Sequence, residues 1–187
     1  IAMSDATGSR AWATLGRAAL AEVLDHRDPS RARELRVGAR AVAEELGFSD
    51  VTPNSLDGTS NRDFVLDYLS AASVCATHLS RLGSELVIWS STEFGFARLS
   101  EPFTSGSSIM PQKQNPDSAE LLRAKAPRVI GDFTTLLGVM HALPLTYGKD
   151  MQEDKEPFFD AVETIEASLA MTAGMLEGVE FDRELFE

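Results

Sequence analysis

Between Asn61 and Leu99 the apolar residues Phe64, Val65, Tyr68, Leu69, Ala72, Cys75, Ala76, Leu79, Leu82, Leu86 and Trp89 recur at steps of three and four. That is the spacing of a helix with a continuous apolar stripe. The pattern predicts one long helix over Asn61–Leu99, with Gly47, Pro53 and Asn54 breaking the chain before it and Glu101, Pro102 and Phe103 ending it. Leu121 to Met140 and Phe158 to Leu176 repeat the pattern, while Ala11 to Leu24 and Ala32 to Leu46 make shorter candidates. No strand-like alternation of useful length and no internal repeat appears. Stripes this long need helical partners, so the fold class expected is all-α, a long-helix bundle. A lone subunit would leave apolar surface exposed, and oligomerisation is expected.

The chemistry concentrates in two polar segments. The first runs Thr104-Ser105-Gly106-Ser107-Ser108-Ile109-Met110-Pro111-Gln112-Lys113-Gln114-Asn115-Pro116-Asp117. Gly106 can adopt backbone angles closed to other residues, and Asn115 with Pro116 reads as a helix entry, where the missing proline N–H costs nothing. The loop thus ends on the positive pole of a helix, which favours a carboxylate or phosphate nearby, and Lys113 adds a full positive charge. A free serine hydroxyl is a poor base near neutrality, so Ser107 or Ser108 is a nucleophile or base only where something lowers its pKa. A lysine and a helix pole are the right kind of perturbation, although polar Gly/Pro/Ser loops are also ordinary punctuation.

The second segment, Leu143 to Asp160, again places polar donors before a helix. Gln152 and Lys155 are three apart and share a face if the stretch is helical, and Tyr147 can reach in from the preceding turn. A salt-laced helix start is the plainer reading of the same spacing.

Composition excludes more than it assigns. A net charge of −12 argues against nucleic acid, which rewards basic patches. No apolar run is long enough for a membrane span, and no signal-peptide pattern is present. The single cysteine, Cys75, excludes an intrachain disulfide and suggests a reducing, cytoplasmic setting. Nothing in the sequence resembles a metal-ligand cluster.

The two segments, with Asn54-Ser55-Leu56-Asp57 and Asn61-Arg62-Asp63-Phe64 ahead of them, resemble the argininosuccinate lyase branch of the fumarase, aspartase and argininosuccinate lyase superfamily. The superfamily loop reads Gly-Ser-Ser-x-Met-Pro-x-Lys-x-Asn-Pro. Gln112, Asp117 and the run Gln152-Glu153-Asp154-Lys155-Glu156-Pro157 are marks of the branch. The resemblance covers roughly residues 41 to 180 and implies a central helical-bundle lyase domain there. Residues 1–40 then form a divergent helical segment, and 181–187 the start of a C-terminal segment. It implies elimination across a C–N bond, giving arginine and fumarate reversibly, with no cofactor and no metal. Ser107 matches the general base that removes the substrate's Cβ proton. Lys113 and Asn115 match groups holding the adjacent carboxylate, while Ser108, Tyr147, Gln152, Lys155 and Arg62 match substrate-contacting positions, Arg62 together with Asp63 lining the cleft. It also implies a homotetramer in which each active site draws residues from three subunits, so these groups need not meet within one chain.

A proton on carbon beside a carboxylate is very weakly acidic, and fixed cations and donors must meet the dianion it leaves. Such donors are worth about 3 to 4 kcal/mol each, and closure of the loop can assemble the base and exclude water. The chain departs from the family pattern at Thr104-Ser105-Gly106, at Gln114 and at Gly148, none of which is a matched site position. The resemblance also implies a longer enzyme with three domains, whose acid–base histidine segment would lie upstream of residue 1. His26, His78 and His141 do not sit in such a setting and read as structural or as part of a charged turn. Arg33 to Arg40 replaces a glycine- and alanine-rich family stretch. Three readings follow: an argininosuccinate lyase, seen here as its central domain or a fragment that need not turn over in isolation; a related lyase acting on another N-substituted aspartate; or a non-catalytic, oligomer-forming relative that keeps the bundle but does not turn over alone.

Overall fold

The computed structural model describes residues 27–110 and 112–186. The helix expected over Ala11–Leu24, and His26, lie outside the described residues. The chain divides into two compact units, residues 1–61 with 143–149 and residues 62–142 with 150–187.

In the first unit, helix α1 (Pro29–Glu45) begins at an Asp28 cap, whose carboxylate accepts from the Arg31 N–H at 3.1 Å, with Pro29 entering the first turn. Its buried residues are Ala32, Ala39 and Ala43. Gly47, at φ +83°, closes it: the Gly47 N–H donates to Glu44 O and the Phe48 N–H to Ala43 O, a glycine-terminated helix end. Helix α2 (Ser55–Ser60) falls where the sequence pattern shows only breakers. Asn54 makes it possible, its Oδ1 accepting from the Leu56 N–H at 3.0 Å.

The second unit holds the long helices. Helix α3 (Asp63–Trp89) is followed by a short strand β1 (Ala97–Arg98), helix α4 (Asp117–Met140), helix α5 (Lys155–Gly178) and strand β2 (Glu180–Phe181). The long helix is thus real but ends ten residues before Leu99, a correction to the expectation from periodicity. Ser90 caps it, and the chain turns through Gly95 at φ +64°, whose N–H donates to Ser91 O at 2.8 Å. The apolar residues beyond the turn serve a sheet instead. Ala97 pairs with Phe181 and Arg98 with Glu180, antiparallel, and the Asp182 N–H donates to Phe96 O. Strands of two residues leave no alternation to read.

The helices run antiparallel in sequence. Gly83 lies against Ala119, Ser80 against Arg123 and Ser73 against Val129, so α3 and α4 point in opposite directions. Arg128 on α4 meets Asp160 on α5, while the late α5 residues Gly174 and Gly178 lie against Phe103 and Ser100, which precede α4. The starts of α3 and α5 therefore share one end with the finish of α4, and the loop 104–116 sits at the other.

Two details fix this packing. A Cβ on Gly83 would stand 2.7 Å from Ala119 O, so glycine lets the backbones close together. Pro127 lies inside α4 and cannot donate to the carbonyl four residues back. That carbonyl, Arg123 O, accepts instead from Ser80 Oγ at 3.2 Å. The core has two centres: Val65, Leu69, Ala72, Ala76, Ala126, Val129, Leu136, Ala161 and Ile165, and, nearer the loop, Leu86, Leu99, Ala119, Leu122 and Met175. Cys75 is half-buried beside the first. The apolar stripe is wider than its cover: Phe64 is 70% exposed and Leu121 62%. Among the described residues, no helix is long and apolar enough to cross a membrane.

Candidate active site

The signature loop is pinned at its base. Ser105 and Asn115 form an isolated antiparallel bridge, Ser105 N–H donating to Asn115 O at 3.1 Å and Asn115 N–H to Ser105 O at 2.9 Å. The Ser105 hydroxyl donates to Asp117 in the first turn of α4. Residues between these anchors form a closed loop standing on a helix N-terminus. At its near side the Ser107 Oγ accepts from the Ile109 N–H at 3.3 Å. Ser107 is half-buried and Ser108 exposed. The Lys113 N–H donates to Met110 O, reversing the far side.

Beside the loop opens a cleft of about 640 Å³ between residues 90–93 just after α3, strand β1 with the following Leu99, and the returning arm of the loop. Lys113 and Asn115 line it; Ser107 and Ser108 stand on the outgoing arm. The cleft thus has one lysine and one asparagine on the arm that runs into α4, groups suited to a carboxylate.

The other end of the helices carries a second cluster. Asp154, 7% exposed, closes the 3-10 turn Lys149–Asp154 ahead of α5. Arg62 Nε donates to its Oδ2 at 2.5 Å, and Lys155 Nζ donates to its Oδ1 at 2.5 Å. Burial pushes the Asp154 carboxyl up, but the hydrogen bonds and charges of Lys155 and Arg62 outweigh that and hold it below the usual carboxylate range. The Arg62 side chain is 17% exposed and that of Lys155 60%, so the cluster presents positive charge outward. Gln152 is exposed one 3-10 repeat before Lys155, and residues three apart in such a turn eclipse, so the two share a face.

The structure therefore brings Arg62 and Lys155 together, and Lys113 with Asn115, but separates the two groups. The 27 residues of α3 rise 1.5 Å each, so about 40 Å divides Arg62 from the loop end. Tyr147 belongs to the first unit, 48% exposed, after Thr146 in a left-handed conformation at φ +75°. His78 and His141 are exposed.

Sequence reasoning missed Asp154, although a signal was present. Met151, Asp154 and Pro157 are all buried at intervals of three, the inward face of a 3-10 turn running into a helix. It also missed a group along α4. Arg128 Nε donates to Asp160 Oδ2 at 2.6 Å, and Asp132 stands beside them in a cleft of about 490 Å³. Burial, then the Asp160 charge, push the Asp132 carboxyl up to about 6.

A family model described as Lyase matches residues 33–131, more than half of the chain. By sequence the chain is 57% identical over 143 residues to an argininosuccinate lyase of Dehalococcoides mccartyi strain CBDB1, an alignment covering 76% of this chain and 31% of that protein. It is 59% identical over 135 residues to argininosuccinate lyase 1 of Mesorhizobium japonicum, covering 72% and 29%. The chain thus spans about a third of the length of these relatives. In structure it is similar to 3-carboxy-cis,cis-muconate lactonizing enzyme from Pseudomonas putida, with a TM-score of 0.66 at 26% identity over 83% of this chain and 34% of that one. A class II fumarase from Schistosoma mansoni superposes with a TM-score of 0.64 at 22% identity, covering 82% and 35%, a likeness of fold. The bundle is that of the central domain of the fumarase and aspartase fold. Matched over more than half its length by the family model, the chain belongs to the lyase family, with argininosuccinate lyases among its relatives by sequence.

Proposed function

We propose that this chain carries the central part of a lyase that eliminates across the C–N bond of argininosuccinate, releasing arginine and fumarate. The observation that carries the reading is the pair of half-sites at opposite ends of an antiparallel helix unit. One end offers a serine, a lysine and an asparagine on a loop above a helix pole; the other offers an arginine and a lysine held by a buried carboxylate. Both suit a dicarboxylate substrate, and about 40 Å of helix separates them. A second copy packed antiparallel along the uncovered apolar stripe would bring the loop of one chain to the Arg62 end of its neighbour. This supports a homo-oligomer, a tetramer on the resemblance, with each active site shared between subunits.

In this reading Ser107 removes the Cβ proton. The Ile109 N–H already donates to its Oγ, which helps that oxygen carry negative charge. Lys113 and Asn115 stabilise the charge that develops on the adjacent carboxylate. Ser108, Tyr147, Gln152, Lys155 and Arg62 contact the substrate. The half-sites hold the dicarboxylate part common to all N-substituted aspartates, while the leaving amine sets specificity. The setting is the cytoplasm, consistent with the lone thiol of Cys75.

The test compares amine release from argininosuccinate with release from other N-substituted aspartates. Preference for argininosuccinate by tenfold or more in kcat/KM supports the assignment. Preference for another member of the series would make the chain part of a lyase of different specificity, and release from none even with the remaining segments supplied in trans would make it a non-catalytic relative.

A further inference from the structure

The observations carry one step further, to the residue between the two cations. We propose that Asp154 is a positioning residue, one that holds Arg62 and Lys155 as a fixed pair for one carboxylate of the substrate; this rests on the dicarboxylate reading above.

The geometry divides the work between its oxygens. Oδ2 takes Arg62 Nε and Oδ1 takes Lys155 Nζ, each at 2.5 Å. The two cations come from different helices, Arg62 from the N-cap of α3 and Lys155 from the first position of α5. Packing of α3 against α5, with Tyr68 edge-on to Phe158, brings the two helix starts together, and the shared acceptor sets the distance between the charges, Asp154 lying 92 positions after Arg62. Charge-assisted bonds of this kind are short and directional. A lysine side chain is otherwise a flexible stem carrying a point charge.

The charge balance also matters. The shared carboxylate gives each cation a partner while the site is empty. Buried as it is, the Asp154 carboxylate is the part of the cluster that solvent reaches least. It therefore acts through Arg62 and Lys155 and does not itself meet the ligand. Met151 and Pro157, buried on the same face three residues to either side, fix the turn from which it projects.

The experiment uses the chain with Asp154→Asn and Asp154→Glu. It measures succinate binding by calorimetry, argininosuccinate turnover, and the slowly exchanging Arg62 Nε–H signal by NMR, with circular dichroism confirming that each protein is folded at the temperature used. Asp154→Asn keeps the shape but not the charge. It is expected to weaken succinate binding at least tenfold, to raise KM more than it lowers kcat, and to lose the protected Arg62 Nε–H signal; Asp154→Glu should recover part of each. A folded Asp154→Asn protein that binds succinate as the wild type does would overturn the proposal. Where Asp154→Asn does not fold, Asp154→Glu decides: displacing the carboxylate by one methylene should weaken succinate binding at least threefold, and unchanged binding would overturn the proposal. Failure of the dicarboxylate reading looks different, because the wild type itself would then not bind succinate. In that event a protected Arg62 Nε–H signal that persists in a folded variant would overturn the pinning of Arg62 as well.

Discussion

Single residues divide here into those that hold structure and those that face outward ready to act. Lys113 is exposed and lines the cleft beside the loop, so removing it should leave the fold intact and cost only catalysis. Lys113→Met is expected to lower kcat by about 10²- to 10³-fold, the usual loss of one preorganised donor to a developing oxyanion, with Tm unchanged. Steady-state kinetics and a thermal melt check both halves. Asp132 and Asp154 should give opposite pH signatures. The Asp132 carboxyl is raised to about 6, so the folded state binds its proton more tightly than the unfolded chain. Its contribution is present at low pH and fades as pH rises from about 4 through about 6. After allowance for solvent screening this amounts to about 1 kcal/mol. Asp154 is lowered, so its contribution is present above the ordinary carboxylate range and fades as pH falls through its folded-state value. Urea unfolding from pH 4 to 7 should show the Asp132→Asn protein losing less stability than the wild type as pH rises.

At the scale of elements, the sequence revealed the helices better than their ends. Leu121 to Met140 and Phe158 to Leu176 stand inside α4 and α5, because a stripe of apolar residues at helical spacing has one economical solution. The end of α3 was hidden, since Phe96, Ala97 and Leu99 continue the apolar composition while Ala97 and Arg98 pair with β2 across some eighty residues. Long-range pairing of two residues leaves no local pattern. The loop was legible as a polar segment running into a helix start, but not the Ser105–Asn115 bridge that closes it or the Asp154 hub that joins Arg62 to Lys155, because both depend on partners set by tertiary structure. Close packing makes its own prediction. Gly83→Ala would place a methyl 2.7 Å from Ala119 O, backbone that cannot swing away, and should cost about 1–3 kcal/mol. Ser80→Ala, which strips the donor from the carbonyl orphaned by Pro127, should cost about 1 kcal/mol. Denaturant unfolding of the two variants checks both figures.

For the whole molecule, the proposed function turns on the distance between the Lys113 loop and the Arg62–Asp154–Lys155 cluster, which stand at opposite ends of the helices. If each active site takes its loop from one chain and its Arg62 end from another, two variants that fail separately should repair each other. Ser107→Ala and Lys155→Ala chains, dissociated together and reassembled, are expected to regain turnover that neither shows alone, because some mixed sites receive both intact halves. A mixture that stays silent although sedimentation shows mixed oligomers would place both halves in one chain. The apolar pattern announced a protein of long helices, but only the antiparallel order of α3, α4 and α5 shows that the two polar segments, both essential to the reading, stand at opposite ends. The most direct measurement is fumarate formation from argininosuccinate, followed by ultraviolet absorbance, for this chain beside its Ser107→Ala variant. With the segments that complete the relatives supplied in trans, fumarate released by the wild type and lost by at least 10²-fold in the folded variant is the expected result; a variant that releases it equally well would contradict the account.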